Sequence, residues 1–150
     1  MANPQALTAA KDGPDAWNSY VCQVLDLSEG ALSGADLSGA HLNWCIVRGA
    51  NLAGADLSGA RLSGANLSHA NLSTANLSGA NLTGATLNHA NLRGADLSWA
   101  DLSWANLGGA DLRDADLNGA DLSWAIGDKF TRWPVGFDPV GAGVRSDMTR

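Results

Sequence analysis

The stretch Ala50-Asn51-Leu52-Ala53-Gly54-Ala55-Asp56-Leu57-Ser58-Gly59-Ala60 decides how this chain folds. It holds Ala, then Asn or Asp, then Leu, then a small residue, then Gly, and repeats that order every five residues. Outward in both directions the aliphatic position never slips. Leu27, Leu32, Leu37, Leu42 and Val47 precede the stretch, and the series runs on to Leu122. A helix needs a period of 3.6, so Leu at every fifth residue would spiral around the cylinder. A strand needs a period of 2, which would put successive Leu on opposite faces. A short inward pair, Ala then Leu, followed by Ser-Gly turn chemistry satisfies the pattern instead. Four such edges and corners close a square coil of about twenty residues, and coils stack at about 4.8 Å. Leu52 then lies on Leu72, Leu92 and Leu112. The reading is an all-β solenoid in which each coil buries four aliphatic residues, at roughly 1.5–3 kcal/mol each before entropy is subtracted.

Composition agrees with one soluble domain. The chain has 150 residues, a net charge of −6 and a pI near 4.7. An acidic chain lacks the basic footprint that grips phosphates, so direct nucleic-acid binding is not expected. The 18 glycines and 6% aromatics would suit disorder, but the 45% apolar fraction set in register argues for a packed core. No run approaches the roughly 18 apolar residues of a membrane span, and residues 1–15 lack a secretory pattern. Cys22 and Cys45 make no disulfide framework. A cytoplasmic protein with reduced thiols is expected.

Tandem Ala-(Asp/Asn)-Leu-Ser-Gly resembles the pentapeptide-repeat family over residues 25–126. That resemblance implies a right-handed quadrilateral β-helix, here of about five coils. Both ends of a solenoid expose a slice of core and need covers. Residues 1–24 read as a short helical N-terminal cap, two helix-like pieces broken at Gly13-Pro14, with Trp17 and Tyr20 over Leu27 and Leu42. Residues 127–150 read as an irregular C-terminal tail containing Trp133-Pro134-Val135-Gly136-Phe137-Asp138-Pro139. The Trp17-Asn18 entry and this exit resemble the flanks of some bacterial members.

Function has to lie in the outward positions, where the exceptions to Ser, Gly, Asn and Asp are informative. Trp44, Trp104 and Trp124 share one corner column, with Gly64 and Gly84 between, and Trp99 stands on the next corner. Trp99, Trp104 and Trp124 form a candidate binding patch. Either residues 126–150 fold back over it, with Trp133 and Phe137 packing there, or it is a partner or dimer surface. Asp96, Asp101, Asp111, Asp114, Asp116 and Asp121 crowd the last third; all but Asp114 are counted with the tryptophans as the candidate surface. They read either as a solvated face, as a site for a basic partner, or as an adventitious cation site. His69 and His89 stack one coil apart and are the nearest approach to a metal pair, but no third ligand completes them. Neither metal nor cofactor is expected. Cys45 takes an inward Ala position, and Trp44–Val47 is expected to distort the second coil locally. The serines have no His-and-acid partner in a cleft, so catalysis is not expected.

The reading is therefore a non-enzymatic scaffold whose acidic, tryptophan-bearing face binds an unidentified protein, with a homodimer through the C-terminal end as one form of that contact. The resemblance also implies an alternative. Some pentapeptide-repeat proteins protect DNA gyrase and topoisomerase IV from quinolones or other toxins by imitating the duplex, which maps here onto Asp96, Asp101, Asp111, Asp116 and Asp121. Regularity this high also fits a near-consensus rod with no evolved partner.

Overall fold

In a central repeat each backbone N–H has its own destination, and together these destinations make the coil. The computed structural model describes residues 27–146. In the repeat Asn76-Leu77-Ser78-Gly79-Ala80, the Asn76 N–H donates back one coil to the Ala55 carbonyl at 2.9 Å. The Leu77 N–H donates forward to Asp96 at 2.7 Å, and the Gly79 N–H donates forward to Ser98 at 2.9 Å. The Ala80 N–H closes the corner on the Leu77 carbonyl at 3.0 Å. Only the Ser78 amide has no backbone partner, and the Asn76 side-chain oxygen accepts from it at 3.1 Å. This explains why the position before Leu is mostly Asn or Asp: their side chains supply the turn with an oxygen two residues upstream.

The repeated register builds four parallel ladders with a constant offset. Asn51, Asn71, Asn91 and Asp111 bridge in series along one edge; Asp36, Asp56, Asn76, Asp96 and Asp116 do so along the next. His41, Arg61, Asn81, Asp101 and Asp121 form the third edge, and Ile46, Asn66, Thr86, Asn106 and Ile126 the fourth. The inward Leu and Ala residues are buried along the rod, except that Ala35, Leu117 and Ala120 near its ends are only partly buried. Extended runs are so short that, among the described residues, only β1 (Ile126–Gly127) and β2 (Arg145–Ser146) count as strands. The helical cap expected over residues 1–24 lies outside the described residues.

Corner geometry is uniform. Each four-residue turn is closed by an i→i+3 bond, and its third residue has positive φ, as at Gly79 (φ 64). That is a type II turn, which favours Gly at that place. Non-glycine residues hold the same left-handed conformation at Glu29, Trp44, His69, Thr74, His89, Trp99, Trp104, Asp114 and Trp124. Such a residue pays roughly 1–2 kcal/mol of backbone strain.

Around Cys45 the expected distortion does not occur. The thiol is fully buried, the Cys45 N–H bonds Leu42 at 3.1 Å, and Ile46 bridges Asn66 in register. A thiol adds one heavy atom to the Ala it replaces, and this inward slot accommodates it without disturbing the ladder.

The coil stacking continues beyond Ile126 with one added residue. Ile126 bridges Asn106, twenty residues back, whereas Arg132 bridges Asp111, twenty-one back. Asp128 and Thr131 absorb the slip. One Asp128 oxygen accepts from the amides of Gly109, Phe130 and Thr131 at 2.9–3.0 Å. The Thr131 hydroxyl donates to the buried Leu107 carbonyl at 2.9 Å. Burial pushes the Asp128 carboxyl up, but these donors outweigh it and hold it below its ordinary value. Trp133 then follows Arg132 as Leu112 follows Asp111, so it inherits the inward register. It stacks with Phe137 at 5.3 Å and packs against the core, with its ring beside Gly127. Trp133 and Phe137 therefore cover the end of the Leu column rather than the corner tryptophans, unlike the first of the two alternatives read from sequence.

Corner strain can be measured directly. Thr74 is β-branched at φ 56, in a column that holds Gly54 and Gly94 one coil away on either side. Thr74→Gly should raise stability by about 0.5–1 kcal/mol, relief of strain exceeding the added freedom of the unfolded chain. Gly59→Ala, where a Cβ meets no neighbour but φ is 63, should lower it by about 1–2 kcal/mol. Thermal unfolding of the two variants checks both signs.

Candidate functional site

A side chain on a left-handed corner lies over the corner of the following coil. A Cβ added at Gly64 would collide with the Trp44 ring, at Gly119 with the Trp99 ring, at Gly109 with His89, and at Gly49 with Glu29. Where two bulky residues follow one another in a column, they stack. His69 and His89 lie 5.1 Å apart at 21°, and Trp104 and Trp124 lie 5.2 Å apart at 6°. Trp99, Trp104 and Trp124 remain 76%, 61% and 46% exposed. The difference at Trp124 has a cause that sequence did not reveal. Residues 143–146 return to the solenoid: the Trp124 N–H donates to Gly143, the Arg145 N–H to Ala125, and β2 pairs in parallel with β1. This places the Arg145 guanidinium 4.3 Å from the Trp124 ring centroid. Among the described residues the tail thus reaches only the last tryptophan of the column.

The aspartates have a structural task as well as a charge. Ser98 and Ser103 each donate their amide at 2.9 Å and their hydroxyl at 2.6 Å to one oxygen of Asp96 and Asp101. Asp116 and Asp121 accept the amides of Asn118 and Ser123 at 2.9 Å. Asn66, Asn71 and Asn76 make the same bonds with their amide oxygens. The second carboxylate oxygen is therefore surplus to the turn. Asp96 bridges Asp116 and Asp101 bridges Asp121, so like charges sit one coil apart. Hydrogen bonds from Ser123, hydroxyl first and amide second, hold the Asp121 carboxyl below its ordinary value.

Asp111 stands apart from the other candidates. Arg113, two residues on, grips it with two guanidinium nitrogens, and that contact holds its carboxyl at about 2. Arg93 pairs with Asp114 at 3.1 Å, so Asp114 is likewise neutralised. On the repeat edges of the C-terminal half, the carboxylates with an oxygen outside the turn and no ion pair among the described residues are thus those of Asp96, Asp101, Asp116 and Asp121. Among the described residues no group of three or more His, Cys, Asp or Glu could hold a metal ion. No helix among them is long and apolar enough to cross a membrane.

The Asp111–Arg113 contact has a pH signature. A carboxyl whose folded value lies below its unfolded one contributes stability above about pH 4, which is lost as pH falls towards about 2. Arg113→Ser restores the consensus residue and should raise the Asp111 carboxyl from about 2 while leaving it below its ordinary value, because a Ser there can donate as Ser123 does to Asp121. The loss of stability at pH 7 should stay under about 1 kcal/mol, because the pair is partly solvated. NMR titration of the Asp111 carboxyl in both proteins checks this.

The sequence profile of pentapeptide repeats matches residues 35–73, 60–98 and 95–126. A solved pentapeptide repeat protein from Nostoc PCC 7120 is 45% identical over 68% of this chain and 84% of that one, with a TM-score of 0.67. One from the cyanobacterium Cyanothece 51142 is 41% identical over 60% and 61%, with a TM-score of 0.60. A third, from the Arabidopsis thaliana thylakoid lumen, is 34% identical over 59% and 65%, at 0.52. No curated protein matches the sequence. Profile, repeat and coil geometry agree: the chain belongs to the pentapeptide-repeat family, whose members fold as right-handed quadrilateral β-helices.

Proposed function

We propose that this protein is a non-enzymatic interaction scaffold, and that its contact surface is the acidic, tryptophan-bearing C-terminal half. The observation that carries this reading is the cost of the tryptophans. Trp99 and Trp104 occupy corners where Gly59, Gly79, Gly64 and Gly84 serve the same turn without strain. Each holds φ near 60° and stays more than half exposed, so folding gains little from it. Stacking offsets part of the cost for Trp104 and Trp124. Trp99 has only Gly119 beneath it. Exposed aromatic side chains that folding does not require are the usual anchors of protein contacts. The partner is read as a protein, in the cytoplasm, with no cofactor.

A second reading, imitation of a DNA duplex to engage gyrase or topoisomerase IV, is favoured by the in-register Asp96–Asp116 and Asp101–Asp121 ladders. Charge density argues against it. A duplex presents about one charge per 1.7 Å, roughly three per coil of about 4.8 Å. Residues 91–110 offer Asp96 and Asp101 against Arg93, well short of that. Only residues 111–130 approach it, with Asp111, Asp114, Asp116, Asp121 and Asp128 against Arg113 and Lys129.

Two experiments separate these readings. A photo-crosslinking residue at Ser103, beside Trp104, should give adducts in cells, and one at Ser63, two coils away in the same column, should give few. An adduct of twice the chain mass would identify the partner as a second copy. Equal yields at both sites would remove the C-terminal half as the contact surface. In a gyrase supercoiling assay, with and without a quinolone, no effect is expected at tens of micromolar protein. Inhibition or rescue that weakens in the Asp96→Asn, Asp101→Asn, Asp116→Asn, Asp121→Asn variant would establish the duplex imitation instead.

A further inference from the structure

The edge between Trp99 and Trp104 has a chemistry that no other described edge shares. Its outward residues are Asp101 and, one coil on, Asp121, each with a carboxylate oxygen that the turn does not use. One corner carries Trp99, whose ring lies over Gly119 and so extends alongside both coils. The opposite corner carries the parallel Trp104–Trp124 stack. Two carboxylates are thus flanked by indoles on either side, all at the surface. The same edge three coils earlier bears His41 and Arg61, flanked by Gly39 and Gly59 on one corner and Trp44 on the other. Its sign is reversed.

Two contacts within the solenoid show which cation fits. Arg145 lays its guanidinium over Trp124 at 4.3 Å, with no carboxylate within ion-pair distance among the described residues. The indole column alone therefore accepts a planar guanidinium. Arg113 grips the Asp111 carboxylate through two nitrogens, so an edge aspartate alone also accepts one. The Asp101/Asp121 edge offers both kinds of partner side by side. A guanidinium can stack on an indole and pair in the plane of a carboxylate at once, whereas an ammonium is a compact, strongly hydrated point charge.

We infer that this edge is a docking slot for the arginine side chains of an extended segment of a partner protein, with Trp99 and Trp104 as stacking walls and Asp101 and Asp121 as the charge. The inference rests on the reading of this half of the rod as a partner surface and specifies what that surface recognises. Trp124 contributes less than Trp104, because Arg145 already lies on it. The slot is open along its length, so binding should be weak for one arginine and should strengthen with each further arginine that reaches the Asp121 coil.

The test uses a fluorescently labelled peptide alternating arginine and serine, a lysine counterpart, and binding by anisotropy at low and moderate salt. The variants are chosen so that the fold survives. Asp101→Asn and Asp121→Asn keep the turn oxygen, and Trp99→Gly, Trp104→Gly and Trp44→Gly place Gly where φ is already positive. Unchanged or raised thermal midpoints confirm this. The arginine peptide should bind several-fold tighter than the lysine one. Trp99→Gly or Trp104→Gly should each weaken binding roughly 3- to 10-fold, and the Asp101→Asn/Asp121→Asn pair by a similar factor. Trp44→Gly should change it less than about 2-fold, since that tryptophan flanks His41 and Arg61. Equal affinity for the two peptides, or an equal loss in Trp44→Gly, would overturn the proposal in favour of a diffuse attraction of cations. No peptide binding despite adducts at Ser103 would overturn arginine recognition while leaving the scaffold reading intact. No binding and no adducts would remove both.

Discussion

Backbone hydrogen bonding between coils is the constraint on which the rest depends. A pentapeptide edge is too short to pair within itself, so the Asn, Leu and corner amides find partners only in the coils above and below. Three consequences follow from that dependence. The offset between coils must stay constant, which forces the strict period. The corners must turn sharply enough to return after four edges, which forces positive φ at every fifth residue. The Ser amide, left out of the ladder, is in most repeats served from the Asn or Asp side chain two residues before it, and at Ser63 from Asn43 one coil back. The Leu column buries the apolar area that drives folding, but the ladder decides where the Leu residues stand.

Much of this was legible in the sequence, because the period transmits position without ambiguity. Cys45 could be assigned inward, and Trp44, Trp104 and Trp124 to one corner, from their numbers alone. Two features were legible in principle but carried another meaning. Interchange of Asn and Asp before Leu points to the one group they share, an acceptor oxygen two bonds from Cβ, and hence to the turn bond. Residues replacing Gly at the corner position imply strain. The C-terminal end was less legible, because there the information lies in breaks of the period. One added residue, held by Asp128 and Thr131, moves Trp133 into the Leu register, and the return of residues 143–146 brings Arg145 to Trp124. No local pattern in that segment announces either event.

Equivalence of Asn and Asp in the turn separates fold from charge. Both supply the oxygen that the Ser amide needs, so the fold is indifferent to which is present. Placing Asp rather than Asn at consecutive levels of a ladder adds repulsion one coil apart. Asp111, which follows Asn91 in its ladder, and Asp114, on a corner, are paired with arginines from the variable Ser position. At Asp101 and Asp121 no cation answers it among the described residues, and the flanking corners hold tryptophan.

A rod of this construction has few ways to vary its surface. Inward positions are fixed by the core, and the turn fixes the Asn or Asp side chain, which leaves the Ser position and the corner. The corner lets a side chain lie flat over the following coil, so a large ring there spans two levels of the ladder. Indoles at Trp99 and Trp104 therefore border aspartates on two coils at once, the widest recognition surface one substitution can add. Backbone strain limits how often that substitution can be made. A rod with glycine at most corners and tryptophan concentrated beside unneutralised aspartates combines a low folding cost with one chemically distinct face.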